Sequence, residues 1–204
     1  MWPRSRQDGE DAEDMLYVVG EKVLLRDKRP EDIAEDYAWR RDPELSKLDA
    51  SQPVEMPYAE YRRYAREEME YRSRWSKRFA IETHQGQHIG NCMYYDIDEQ
   101  RGEAELGIMI GDREYWSQGY GCDSVCTLLD YIFTSTELNK VYLHTLSWNE
   151  RARRSFANAG FVEVKSVRRN RMDFVRMEAI RDDWANRRKL KDDKGSDRTS
   201  TIPA

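Results

Sequence analysis

Between residues 16 and 186 the apolar and polar positions spell alternating strand and helix signals. Residues 22–26, Lys-Val-Leu-Leu-Arg, read as a short strand. Pro30, Glu31 and Asp32 then open a helix that runs through Trp39 to about Arg41. Proline fits a first helical turn, and acids favour the positive end of the helix dipole. Residues 43–56 form a polar connection without clear periodicity. Pro57 opens a second helix to about Arg72, with Tyr58, Tyr61, Ala65, Met69 and Arg72 near helical spacing. Strands follow at 78–83, 87–97 and 104–110, the first two joined by a hairpin in which Gly86 supplies a left-handed residue. Val125, Leu128, Leu129, Ile132 and Phe133 mark the buried face of a longer helix. Residues 140–146 are a strand, a helix starts at or beside Asn149 and runs to about Ala159, and the last strands begin at Gly160 and span 171–179. The crossover between 110 and 140, about 29 residues, suits one helix joining parallel strands. Strands 104–110 and 140–146 are therefore expected as parallel neighbours. The expected fold class is α+β, one domain with a mixed, mostly antiparallel central sheet flanked by helices.

Composition sharpens this picture at the ends. Residues 1–15 are acidic, with Asp8, Glu10, Asp11, Glu13 and Asp14 and almost no apolar content, and 187–204 are charged and then Gly-, Ser- and Thr-rich. Both are expected as disordered tails around a domain at 16–186, because they bury too little surface to offset ordering entropy. A net charge of −5 gives no general attraction to nucleic acid. No apolar run approaches a membrane span, and the first residues lack a signal peptide's apolar stretch. The three cysteines, Cys92, Cys122 and Cys126, form no disulfide framework and no zinc pattern. A cytoplasmic protein with reduced thiols and no metal is expected. His84 and His88 straddle a turn without a third ligand.

Two segments carry chemistry. Tyr115-Trp116-Ser117-Gln118-Gly119-Tyr120-Gly121-Cys122-Asp123 joins a strand to a helix. Amides at a helix N-terminus lack helical partners and carry partial positive charge, and glycines let an anion approach them. The segment lacks the Lys-Ser/Thr of a P-loop and the third glycine of a dinucleotide fingerprint. It reads either as a pyrophosphate cradle or as an ordinary glycine turn before a buried helix. The second segment runs from Asn149 through Phe156 to Gly160-Phe161. Here Asn149 is a ligand-binding group or a helix cap, and Gly160 fits a C-terminal cap.

Taken in order, these motifs resemble the acyl-CoA core of the GNAT superfamily over residues 22–179. Within it they are most similar to the RimJ/RimL-like branch of ribosomal-protein amino-terminal acetyltransferases. Ala104-Glu105-Leu106-Gly107-Ile108, the Trp116–Gly121 loop, and Asn149 followed by Gly160-Phe161 carry the resemblance. The resemblance implies transfer of an acetyl group from acetyl-CoA to a primary amine, on a protein N-terminus or on a small amine such as a polyamine or aminoglycoside. A non-catalytic acyl-CoA-binding module is the remaining alternative, and a homodimer is admitted. It also implies roles. The amides of Gln118, Gly119, Tyr120, Gly121 and Cys122 would hold the pyrophosphate. Ile108, Met109 and Ile110 would offer backbone groups to the pantetheine and acetyl carbonyl. Asn149 would bind the pantetheine amide, and Phe156 would lie near the sulfur. Glu105 is the candidate general base, with His144 as the alternative. Tyr58 and Tyr61 would wall the acceptor groove, and Arg151, Arg153 and Arg154 would either meet the 3′-phosphate or form a solvated face. Relatives place a hydroxyl at Ala152 or Phe156. Both positions are apolar here, and helical rotation is expected to turn Ser155 elsewhere, so no general acid is evident.

Overall fold

The structure is a computed structural model that describes residues 16–71 and 73–196. Its strands are β1 (Tyr17–Val19), β2 (Val23–Arg26), β3 (Ser76–Thr83), β4 (His88–Asp98), β5 (Glu103–Ile110), β6 (Lys140–Leu146), β7 (Val162–Arg169) and β8 (Met172–Ile180). Its helices are α1 (Ile33–Arg41), α2 (Pro43–Leu48), α3 (Tyr58–Glu70), α4 (Tyr120–Ser135), α5 (Glu150–Ala159) and α6 (Arg181–Ser196). The strands form one sheet in the order β1-β2-β3-β4-β5-β6-β8-β7. Every pairing is antiparallel except β5 with β6, the parallel pair expected from the crossover length.

The core lies between this sheet and α4. Val125, Leu128, Leu129, Ile132 and Phe133 are all buried, as the 3.6-residue period requires, and they share one cluster with Val23, Leu25, Phe79, Ile81 and Ile89. A polar knot ties the first strands to α1. The buried Arg26 guanidinium holds both Asp32 oxygens at 2.8 Å and Glu82 Oε2 at 2.5 Å. Beside it His88 Nδ1 contacts Glu35 Oε2 at 2.9 Å, and Nε2 contacts the Gly90 carbonyl at 2.9 Å. His84 lies apart, with Nε2 3.2 Å from the Glu21 carbonyl.

Three elements differ from the sequence reading. The stretch 43–56 contains helix α2, started by Pro43 and capped by Asp42 Oδ1, which accepts from the amides of Glu44 and Leu45 at 2.9 and 3.0 Å. Six residues are too few to display a period. β1 is a short edge strand beside the acidic segment. Helix α6 runs from Arg181 to Ser196, past residue 186, after which the sequence reading places a tail. Its start is anchored by Arg181, which donates to the carbonyls of Phe133, Thr136 and Leu138, and by Trp184, whose Nε1 meets Asp130 Oδ1 at 2.5 Å. The tail expected at 1–15, residues 197–204 of the tail expected at 187–204, and Arg72 at the end of the second helix lie outside the described residues.

Candidate active site

The one parallel contact in the sheet is short. β5 and β6 pair only through Glu103↔Lys140, Ala104↔Val141 and Glu105↔Tyr142. Beyond that point each strand keeps its outer partner. β5 stays on β4 as far as Ile110, and β6 stays on β8 as far as Leu146. The sheet therefore opens into a V whose vertex is Glu105. Into the opening fit the start of α4 and one side of α5, leaving a cavity of about 640 Å³.

One wall is the glycine loop. Gly119 has φ of 89°, a left-handed turn that aims the first amides of α4 at the cavity without steric cost. At Gly121 a β-carbon would sit 3.7 Å from both Ile110 Cγ1 and Ser155 Oγ, filling the space between loop and strand. Trp116 Nε1 donates to the Ile110 carbonyl at 2.7 Å and pins the loop to the end of β5. That bond occupies one of the carbonyls expected to face a ligand.

α5 supplies the facing wall. Asn149 is buried, and its Oδ1 accepts from the Ala152 amide at 3.2 Å. The helix-cap reading is thus realised, and the side-chain NH2 is left for a second partner. Arg151, Arg154, Ser155 and Asn158 all line the cavity. They sit at i, i+3, i+4 and i+7, one stripe of the helix. This corrects the expectation that Ser155 turns away: the stripe containing it borders the cavity together with Ala152 and Phe156. Of the arginine cluster, Arg151 lies 3.7 Å from the Trp116 ring centroid. Arg153 is instead committed to Glu163 at 2.8 Å and to the Ser147 carbonyl at 3.0 Å.

At the vertex, Glu105 and His144 meet. Glu105 Oε1 lies 2.8 Å from His144 Nδ1, and their side chains are 12% and 6% exposed. Arg169 Nη2 lies 3.3 Å from His144 Nε2. Guanidinium only donates, so Nε2 accepts and Nδ1–H donates to Glu105, which sets a neutral imidazole in one tautomer. Burial, together with the neighbouring Glu105 carboxylate and the hydrogen bond to it, pushes the Tyr95 phenol up. Glu105 therefore accepts from two donors at the foot of the cavity.

The cavity brings together Glu105, His144, Ile108, Met109, Ile110, Gly119, Gly121, Cys122, Asn149 and Phe156. Gln118 and Tyr120 are not among its lining residues; the Gln118 side-chain Nε2 donates to the Glu114 carbonyl, and the Tyr120 ring packs edge-on against Tyr115. Tyr58 and Tyr61 do not wall it either. Both rings pack on Tyr37, each at 5.2 Å, on the outer side of α1. The cavity is lined instead by Leu45 and Leu48 of α2 and by Asp49 and Ala50 just after it. The Asp42-Pro43-Glu44 start signal was the available clue to that helix. Tyr95 and Arg169 carried no local signal, since only strand register places them here.

A sheet opened at a parallel pair, with a glycine-bounded helix start on one side and a buried carboxylate at the vertex, is the acyltransferase class of architecture that the motifs indicate. The GNAT acetyltransferase domain matches residues 22–162, and the chain belongs to that family. It is 33% identical over 87 residues to the spermidine N(1)-acetyltransferase of Vibrio cholerae serotype O1, covering 43% of this chain and 50% of that protein. It is 42% identical over 53 residues to an uncharacterised N-acetyltransferase, p20, of Bacillus licheniformis, covering 26% of this chain and 29% of that one. The chain thus spans half or less of the curated relatives it matches. Among solved structures, a Vibrio cholerae spermidine N-acetyltransferase in complex with CoA and spermine superposes with a TM-score of 0.71 at 22% identity, over 80% of this chain and 98% of that one. The aminoglycoside acetyltransferase AAC(6')-Ib in complex with coenzyme A superposes with a TM-score of 0.68 at 20% identity, over 81% and 99%. At these identities the likeness is one of fold.

Proposed function

We propose that the protein is an N-acetyltransferase that moves an acetyl group from acetyl-CoA to a primary amine by direct attack in a ternary complex. The observation that carries this reading is the V between β5 and β6, with a glycine-bounded helix start along one arm and Glu105 at the vertex. The space that a β-carbon at Gly121 would fill suits a pyrophosphate beside the α4 amides. The Asn149 NH2 and the open inner edge of β5 suit a pantetheine arm, and Arg151 and Arg154 suit the 3′-phosphate of CoA. Acetyl-CoA supplies an activated thioester, and this chain's residues bind, orient and move protons.

The acceptor enters as an ammonium and needs to lose a proton before its nitrogen can attack the thioester carbonyl. Glu105 takes that proton, directly or through a water. The neutral amine attacks, the C–N bond forms and the C–S bond breaks; the proton then in excess on the nitrogen passes through water to the departing thiolate, giving the amide and the CoA thiol, and a thiolate is a tolerable leaving group near neutral pH. His144 orients Glu105 and is a poor base itself, because both ring nitrogens are engaged. Ser155 Oγ lies beside Gly121, at the proposed pyrophosphate end of the site.

On the acceptor, a protein N-terminus, as in the RimJ/RimL-like branch, and a small amine are both within this reading. The acceptor named for the Vibrio relatives, spermidine, favours testing small amines first. A cytoplasmic location and a homodimer belong to the same proposal. Among the described residues no helix is long and apolar enough to cross a membrane. The test is thiol release from acetyl-CoA with a panel of amines. Tight acetyl-CoA binding without turnover on any amine would leave a binding module in its place.

A further inference from the structure

Charge along the cavity is distributed unevenly. Its lining holds two carboxylates, Glu105 and Asp49, and Asp49 is paired with Arg40 at 2.8 Å. It holds three arginines, Arg151, Arg154 and Arg169. The first two belong to α5, beside the glycine loop. Arg169 stands apart from them, at the end of β7, immediately before the left-handed turn of Asn170 and Arg171 with φ of 49° and 63°. It reaches across to the vertex and spends one donor on His144 Nε2.

Two other arginines of the hairpin are ion-paired within the fold. Arg168 pairs with Asp173 at 3.7 Å, and Arg176 with Glu178 at 2.8 Å. Among the described residues Arg169 has no carboxylate within ion-pair distance, and it lines the cavity with guanidinium donors beyond the one spent on His144. Glu105 and Arg169 thus flank His144, one on each ring nitrogen, at 2.8 and 3.3 Å.

We propose that the acceptor is a primary amine carrying an anionic group, a carboxylate or a phosphate, a few bonds from the reacting nitrogen. The amine goes to Glu105 and the anion to Arg169. This rests on the acetyltransferase reading above. A polyamine fits this end poorly. Its second and third ammonium groups would meet one available carboxylate and an unneutralised guanidinium, and like charges at close range repel. An amine with an anionic tail matches both charges, and a guanidinium is suited to carboxylate and phosphate alike through paired N–H donors.

The test uses the full chain, acetyl-CoA and four probes: 4-aminobutanoate, 3-aminopropyl phosphate, butylamine and spermidine. The wild type is expected to give its highest kcat/KM on one of the two anionic probes, and which one identifies the tail. Arg169→Gln is expected to cut the ratio of that probe to butylamine by roughly five- to tenfold, a factor limited by the exposure of Arg169. Arg169→Glu is expected to turn the preference toward spermidine. The wild-type preference should also weaken as salt rises. Arg169 is exposed at a hairpin end, so its variants are expected to keep the wild-type melting temperature. A wild type that favours spermidine or butylamine over both anionic probes overturns the proposal while leaving acetyl transfer intact. So does a ratio that survives Arg169→Gln. If acetyl-CoA binds but none of the four amines is acetylated, the transfer reading itself fails and this inference with it.

Discussion

Replacing Glu105 by glutamine separates chemistry from architecture. The carboxylate accepts from His144 Nδ1–H at 2.8 Å and from the Tyr95 phenol. Glutamine keeps the shape and one acceptor oxygen, and its NH2 can donate to the Tyr95 oxygen once that hydroxyl rotates. The structural cost is then about 1 kcal/mol, the net worth of one ordinary hydrogen bond. For a chain of this size that lowers the melting temperature by roughly 2–4 °C. The catalytic cost is larger. A primary amine with a pKa near that of lysine, about 10.4, is free in only about one molecule in 2,500 at pH 7. A base that removes this handicap is worth roughly 10³ in rate, inside the usual span of about 10²–10⁴ for general-base help. That corresponds to about 4 kcal/mol of barrier. The assay is steady-state thiol release at saturating acetyl-CoA, from near neutral pH up to the amine's own pKa, with acetyl-CoA affinity measured separately by calorimetry. The variant is expected to lag most at neutral pH and to catch up as the amine deprotonates by itself, with cosubstrate affinity unchanged. A variant with the wild-type rate at neutral pH refutes the assignment. A deficit that stays constant at every pH also refutes it, and points to misplacement of His144 instead.

Three further outcomes follow from the same geometry. Gly121→Asp should abolish acetyl-CoA binding by placing a carboxylate at the α4 amides, yet leave stability equal or higher, because an acid favours a helix start; loss of the ligand-induced thermal shift with an unchanged apo melting temperature is the expected pair, and retained affinity would remove the loop from the site. Asn149→Ala should cost about 1 kcal/mol of stability through the lost cap to the Ala152 amide and should weaken acetyl-CoA binding more than it lowers turnover at saturation; denaturant unfolding and calorimetry read the two effects, and unaltered affinity would leave Asn149 as a cap alone. Burial alone would push the Asp32 carboxyl up, but its bonds to Arg26 and to the Arg29 amide, with His88 nearby, hold it below its ordinary 3.8. A depressed carboxyl contributes stability above that value and loses it as pH falls below, so acid unfolding should steepen under about pH 4; Asp32→Asn should be less stable at neutral pH by roughly 1.5–3 kcal/mol, because Arg26 loses one of its two carboxylate partners and keeps only Glu82, and should have a flatter acid limb. An unaltered acid limb in urea titrations would place the titrating group elsewhere.

Long elements with one buried stripe were legible from the residues, and short or conditional ones were not. α4 shows its face over sixteen residues, and each expected apolar position is buried. α2 has six residues and α6 carries almost no apolar side. What holds the start of α6 is a set of bonds from Arg181 to three carbonyls at the end of α4, a tertiary anchor that no local pattern announces. The site divides the same way. The glycine loop, Asn149 and Glu105 lie at strand ends and helix starts, where the order of motifs specifies position. Tyr95 reaches Glu105, and Arg169 reaches His144, only through strand pairing, Tyr95 opposite Glu105 on β4 and Arg169 across the β7–β8 hairpin. Ser155 was misdirected because the rotation was counted from Ala152 and Phe156 alone. Arg151, Arg154 and Asn158 show that a second stripe of α5 also borders the cavity.

The opening of the sheet and the chemistry it can perform have one cause. β5 is held by β4 along its whole outer edge, and β6 by β8 along its own, so each half of the sheet is complete without the other. Separating them past Glu105 and Tyr142 leaves two inner edges without a strand partner. Such edges hold N–H and C=O groups that need partners when buried. One carbonyl on the β5 side is satisfied by Trp116. The other inner-edge groups face a cavity long enough for an extended, amide-containing ligand to bond there as a strand would. A ligand laid along β5 from the glycine loop has its far end directed toward the vertex, since that is where the strands converge. The vertex residue is Glu105, buried enough to be shielded from bulk water and open enough to touch a second molecule. An acceptor amine therefore reaches the end of the first ligand and the carboxylate at the same place. This is why loss of strand pairing after three residues, rather than any single side chain, is the feature from which the proposed transfer follows.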